Sequence, residues 1–104
     1  MTANPAQLDR VLHPHARLAI IKALRAAEGP LDFSSLREDL QLTGGNLFSH
    51  LRALEEEGII QRVRESPLGR TRSVYQLTDA GLERVLAYAR VLAQLAADLG
   101  GNDS

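Results

Sequence analysis

Residues 43–57 read TGGNLFSHLRALEEE, and the fold turns on them. Leu47, Leu51 and Leu54 recur at helical spacing and make one face apolar, while Gly45, Asn46, Ser49 and Arg52 project elsewhere with small or hydrogen-bonding groups. Thr43 suits the N-cap because its hydroxyl can accept from backbone N–H groups two or three residues on, and Gly58 suits the left-handed residue that ends a helix. Just upstream, Phe33 to Leu40 (FSSLREDL) predicts a second short helix, with only Gln41 and Leu42 before Thr43. Leu36 and Leu40 would face the core from it, and Leu42 would plug the turn.

Two helices joined by so short a turn make a helix-turn-helix unit, whose second helix enters the major groove of DNA. Taken alone, that pattern fits many small helical domains. The next residues narrow it: Ile59 to Glu65 predicts a strand, Ser66 to Gly69 (SPLG) a turn, and Thr71 to Leu77 a second strand. The expected fold class is therefore mainly α with a small β-hairpin wing, a winged helix-turn-helix. Alternation places Val63 on the side of Ile59, Arg62 and Arg64 on the side of Ile60, and Tyr75 with Leu77 toward the core.

Toward the N-terminus, Asn4-Pro5 suits a helix cap and first position, and Leu8, Val11 and Leu12 make a short apolar stripe. His13-Pro14 breaks that helix and starts another, in which Leu18, Ile21 and Leu24, with Ile20 alongside, are buried as far as Ala27. Glu28-Gly29-Pro30 ends it. Leu31-Asp32 is expected to be a short extended piece against the wing, with Asp32 capping the next helix and Ser34 or Ser35 as alternatives.

Toward the C-terminus, Thr78-Asp79 caps a last helix that runs to Leu99 and stops at Gly100-Gly101. Its polar residues Glu83, Arg90, Gln94 and Asp98 fall in one sector, so apolar residues cover more of the surface than one core contact needs. Leu82, Val85, Leu86 and Ala89 are expected to face the chain's own core. Tyr88, Val91, Leu92, Leu95 and Leu99 would then form a homodimer interface with Leu8, Val11 and Leu12. Residues 1–99 read as one domain with terminal dimerisation helices, and 100–104 as a flexible tail.

The chain has 104 residues, enough for one small core, and no cysteine, which excludes disulfides and thiolate metal sites. The N-terminus lacks the positive start and apolar run of a signal peptide, and no segment approaches the roughly 18 apolar residues of a membrane span. A soluble, cytoplasmic protein is expected. The net charge of −1 runs against a nucleic-acid partner, but its distribution favours one: residues 61–75 carry Arg62, Arg64, Arg70 and Arg72 against Glu65 alone.

Double-stranded DNA is the expected partner. Asn46, Ser49 and Arg52 lie where side chains reach base edges, arginine to guanine and asparagine to adenine, the alternative being a solvated helix face. Gly44 and Gly45 each cost a helix about 1 kcal/mol relative to alanine, so together with Thr43 they suggest phosphate approaching helix N–H groups. Arg70 and Arg72 flank the wing tip, with Arg62 and Arg64 on the opposing strand. Guanidinium forks suit phosphate or a minor groove, though a charged hairpin that blunts its own edge is the alternative. Glu55 to Glu57 can face solvent without a role.

His13, His15 and His50 are a poor metal constellation, and His50 is expected to pack between helices or contact phosphate. Arg17 should form a structural ion pair. No nucleophile, base and orienting group assemble, and no glycine-rich phosphate loop with lysine is present, so neither an enzyme nor a cofactor is expected.

Leu12-His13-Pro14-His15-Ala16-Arg17-Leu18-Ala19-Ile20-Ile21, Leu42-Thr43-Gly44-Gly45-Asn46-Leu47, His50-Leu51, Leu54-Glu55, Gly58-Ile59-Ile60 and Tyr75-Gln76-Leu77-Thr78-Asp79-Ala80-Gly81 stand together in order. In these motifs the chain resembles, over about residues 8–98, the small stand-alone winged-helix transcriptional regulators related to the MarR and ArsR repressors. The resemblance implies a dimer on a pseudo-palindromic operator, usually repressing transcription. A small-molecule effector stays open, its natural place being apolar space between the first helices and the last. Phe48 departs from the pattern, which more often has a small polar residue there. Packing against the turn or a neighbouring helix is expected of it, with a thymine methyl or a sugar as the alternative contact. Phe48 and the slight acidity also leave a second reading, a winged-helix module that docks on a protein and never touches bases.

Overall fold

A computed structural model describes residues 11, 12 and 14–100. The stretch Asn4-Pro5 to Leu8 and the expected tail after Gly100 lie outside the described residues. Val11 and Leu12 form a turn, and α1 follows at His15–Ala26. Pro14 serves as the N-cap because its ring fixes φ near −55° and the helix needs no N–H there. Ile20, Ile21 and Leu24 are buried on α1, and Leu18 is half-buried against them.

The chain then makes β1 at Leu31–Asp32, α2 at Phe33–Leu40 and α3 at Gly44–Glu56. It continues with β2 at Ile60–Glu65, β3 at Arg72–Leu77 and α4 at Asp79–Leu99. The three strands form one antiparallel sheet in the order β1-β3-β2. Asp32 caps α2 by accepting from the Ser35 N–H at 2.8 Å. The turn into α3 is closed by Gln41 in the left-handed conformation, φ 54°. Leu36, Leu47, Leu51 and Leu54 are fully buried together, and Leu40 and Leu42 pack against them.

In the hairpin, Ile60 pairs with Leu77, Arg62 with Tyr75 and Arg64 with Ser73. Tyr75 and Leu77 therefore share the core face with Ile60, as the alternation requires, and the arginines extend that face outward to the tip. The hairpin is fastened to α4 by Thr78, whose hydroxyl accepts from the Gly81 N–H at 2.9 Å and can donate to the Gly58 carbonyl at 2.6 Å. A Cβ at Gly81 would run into the Ile59 backbone, so α4 can start this close to β2 only with glycine there.

The last helix divides differently from the expected sectors. Gly81 and Tyr88 are buried, and Val85 and Leu92 pack against the same core, whereas Leu86 and Ala89 are exposed. Turning about 100° per residue, Gly81, Val85, Tyr88, Leu92 and Leu99 lie on one stripe. Its first part closes the chain's own core, and its end is uncovered, with Leu99 87% exposed. Tyr88 and Leu12, assigned from sequence to a partner, are thus covered within the protomer itself. Among the described residues no helix is long and apolar enough to cross a membrane.

Candidate nucleic-acid interface

The N-terminal half of α3 is anchored by Leu47 and presents its polar groups outward. Thr43 holds the first turn by accepting from the Asn46 N–H at 3.1 Å, and Gly58, φ 71°, reverses the chain just beyond the other end. The Leu47, Leu51 and Leu54 side of the helix is the core side, so Gly45, Asn46, Ser49 and Arg52 are exposed. A Cβ built at Gly44 or Gly45 would meet nothing within 4 Å. No described atom packs against those two positions, so the space over the first turn of α3 is open.

The C-terminal half of α3 behaves differently. Arg52 donates to Glu56 at 3.1 Å, Arg62 on β2 lies 3.7 Å from Glu55, and Arg84 on α4 reaches Glu57 at 3.0 Å. The three glutamates, expected to be idle, each hold an arginine. The Arg52 pair is exposed on both sides and is worth little in water, so a base edge can displace the glutamate. Arg62 also lies against Tyr75, whose phenol burial pushes up and the Arg62 guanidinium draws back.

The wing arginines separate into two kinds. Arg72 donates from Nη2 to Glu65 at 3.1 Å and from Nη1 to Asp32 at 3.0 Å, tying the hairpin to the cap of α2. The sequence suggests a phosphate contact for Arg72, but its donors are engaged within the fold. Its second carboxylate, Asp32, is held below the ordinary range chiefly by the Ser35 amide and hydroxyl and then by Arg72. Arg64 and Arg70, nearer the tip, are exposed and form no ion pair among the described residues. Between them Leu68 and Gly69 turn the chain with φ 54° and 79°.

On the other side of α3, Arg17 donates from Nε to Nδ1 of His50 at 3.1 Å and from Nη1 to the Val11 carbonyl at 3.0 Å. The expected ion pair of Arg17 is thus a pair of hydrogen bonds to neutral acceptors. Burial, and after it the Arg17 charge, hold His50 below its ordinary pKa, which suits an imidazole that must accept. Phe48 is 53% exposed rather than packed against a neighbouring helix, because Leu47 and Leu51 already fill the space beneath α3.

Arg52–Glu56 is legible in the sequence as a helical i, i+4 pair, but the Arg72–Asp32 and Arg17–His50 contacts join residues 40 and 33 positions apart. Only the folded topology brings those together. Among the described residues no three histidines, aspartates or glutamates gather as metal ligands, and His13 lies outside the described residues.

The same fold occurs in known proteins. The transcriptional regulator homologue from Pyrococcus horikoshii is 34% identical, covering 90% of this chain and 89% of its own, with a TM-score of 0.66. MarR shares the fold at 22% identity and a TM-score of 0.73, covering 90% of this chain and 67% of its own. So does a mutant of MepR from S. aureus, bound to an oligodeoxyribonucleotide, at 24% identity and a TM-score of 0.71, covering 92% of this chain and 72% of its own. The winged helix DNA-binding domain family matches residues 16–96. The chain belongs to that family and is a transcriptional regulator, not an enzyme.

Proposed function

We propose that the protein binds a specific, pseudo-palindromic operator as a homodimer and represses transcription from it. The observation that carries the base-reading part is the contrast along α3 and the wing. Asn46 and Ser49 stand exposed near the open space over Gly44 and Gly45, and Arg64 and Arg70 stand near the wing tip with no ion pair among the described residues. Such an arrangement suits hydrogen bonding to base edges in a major groove, with free guanidinium groups along the adjacent backbone. The oligonucleotide bound by the MepR mutant supports the same reading. Repression is the mode that the resemblance to MarR-type regulators implies.

The dimer part rests on α4. Its apolar stripe runs on past the chain's own core to Leu95 and Leu99, and a second copy would cover that end. Val91, half-buried, would flank it, while Tyr88 and Leu12 would support the contact from within the protomer. A two-fold dimer puts half-site centres about 34 Å, or about 10 base pairs, apart.

Binding of duplex DNA measured across a salt series tests the first part: affinity should fall steeply with salt, by about 0.9 log units per log unit of salt for each phosphate contact. Sedimentation tests the second, with a dimer expected for the wild type and a monomer for Leu95→Asp with Leu99→Asp. Absence of any duplex binding would favour the protein-docking alternative.

A further inference from the structure

Phe48 contradicts the chemistry of the face on which it sits. Gly45 and Arg52, one turn to either side, and Ser49 next to it are small or polar, yet 53% of the Phe48 surface is left to water. The core does not take up the ring, since Leu47, Leu51 and Leu54 on the adjoining face, about a quarter turn away, are already covered. An aromatic ring held half in water contributes most of its apolar area only when something else covers it.

The surroundings restrict what that something is. Phe48 and Arg52, one helical turn apart, border a groove between α3 and the wing whose other walls include Arg62 and Tyr75. Glu55 and Glu56 line the far end of the groove and hold Arg62 and Arg52, so the charges there are balanced and both guanidinium groups already have carboxylate partners. Phe48 projects from one flank of α3, between Gly45 and Arg52 one turn to either side, with the exposed hydroxyl of Ser49 on the adjoining face and the exposed amide of Asn46 on the other flank. With Arg52 held by Glu56, an exposed apolar ring flanked by a hydroxyl suits a base edge better than a phosphate. The apolar group that the major groove presents among its donors and acceptors is the C5-methyl of thymine, and a phenyl ring is a suitable contact for it.

We propose that Phe48 is a specificity-determining residue that reads the 5-methyl group of a thymine in each half-site. The proposal rests on the DNA-binding reading above and adds to it a fixed thymine next to the bases met by Asn46 and Ser49.

The test uses duplexes carrying the sequence that the full-length protein selects from a random pool, with each thymine replaced in turn by deoxyuridine. For the wild type, one position per half-site should lose about fourfold in affinity per half-site, the effect of uncovering a single methyl group, while the other positions change little. Phe48→Ala should bind the thymine and deoxyuridine duplexes equally and should melt with the wild type. Equal wild-type binding at every position overturns the proposal without any variant. So does a Phe48→Ala protein that keeps the thymine preference, or one that loses affinity equally for duplexes in which the wild type shows no methyl effect. A wild type that binds no duplex at all overturns instead the DNA-binding reading beneath it.

Discussion

The base of the wing and the exposed edge formed by α3 and the wing tip are built from the same kinds of residue and differ in whether those residues have partners. At the base, Arg72 is shared between Glu65 and Asp32, and the Thr78 hydroxyl serves the carbonyls before it and the amide after it. At the edge, Arg64, Arg70, Asn46 and Ser49 project into solvent, and the side chains of Arg64 and Arg70 have no carboxylate beside them among the described residues. Composition alone gives four arginines in residues 61–75 and no means of sorting them. The fold sorts them: an arginine beside two carboxylates fixes the hairpin, and one left alone is available to a polyanion.

Substitution should therefore break stability at the base and binding at the edge. The largest effect is expected for Gly81→Ala, where a methyl group would be driven into the Ile59 backbone. A loss of about 3 kcal/mol, the upper end for overpacking, should appear in chemical or thermal unfolding. Near-wild-type stability would show that α4 can back away from β2.

At the edge, Asn46→Ala should lower discrimination between the selected sequence and a mutated one by about 1–3 kcal/mol if the amide makes a bidentate base contact. Its stability should stay within about 0.5 kcal/mol because the side chain is exposed and only the main-chain N–H serves the cap. Equal weakening on all sequences would demote Asn46 to a backbone contact. The arginines offer the sharpest form of the contrast. Arg72→Ala should cost stability, about 1 kcal/mol for two partly exposed pairs, whereas Arg64→Ala with Arg70→Ala should leave melting unchanged and flatten the salt slope by about 0.9 for each phosphate no longer bound. The reverse pattern would exchange the two roles.

The smallest effect concerns pH. Burial and Arg17 lower the His50 pKa in the folded chain, so the unfolded chain binds that proton more readily. The stability this site contributes is whole above its ordinary value of 6.5 and is lost as pH falls below it toward the lowered folded value. His50→Gln, which can still accept from Arg17, should make the decline below about pH 6.5 shallower. An unchanged pH profile would mean that the Arg17 bond does not depend on a neutral imidazole. Asp32 acts lower on the scale, losing its contribution only as pH falls below 3.8.

Much of the fold is written in local signals. Thr43 and Gly58 bound α3, Phe33 to Leu40 is α2 to the residue, and Leu31-Asp32 joins the sheet as its third strand. Caps, glycines and leucine spacing act within a few residues, so they can be read along the chain. Partnership cannot. Arg72 reads as a phosphate contact because its carboxylates come from another strand and from the cap of another helix, and Phe48 reads as a packed residue because the sequence does not show that Leu47 and Leu51 fill the space first. Along α4 the period of the stripe is visible, but the point where the body ends and the uncovered part begins depends on tertiary packing.

Selection of bound duplexes from a random DNA pool by the full-length protein tests base reading by α3 most directly. The expected result is an enriched motif of two inverted half-sites with centres about 10 base pairs apart, relaxed at one position of each half-site by Asn46→Ala but retained in full by His50→Gln. A pool that emerges unenriched, or a motif unaffected by any change at Asn46, Ser49 or Arg52, would contradict it.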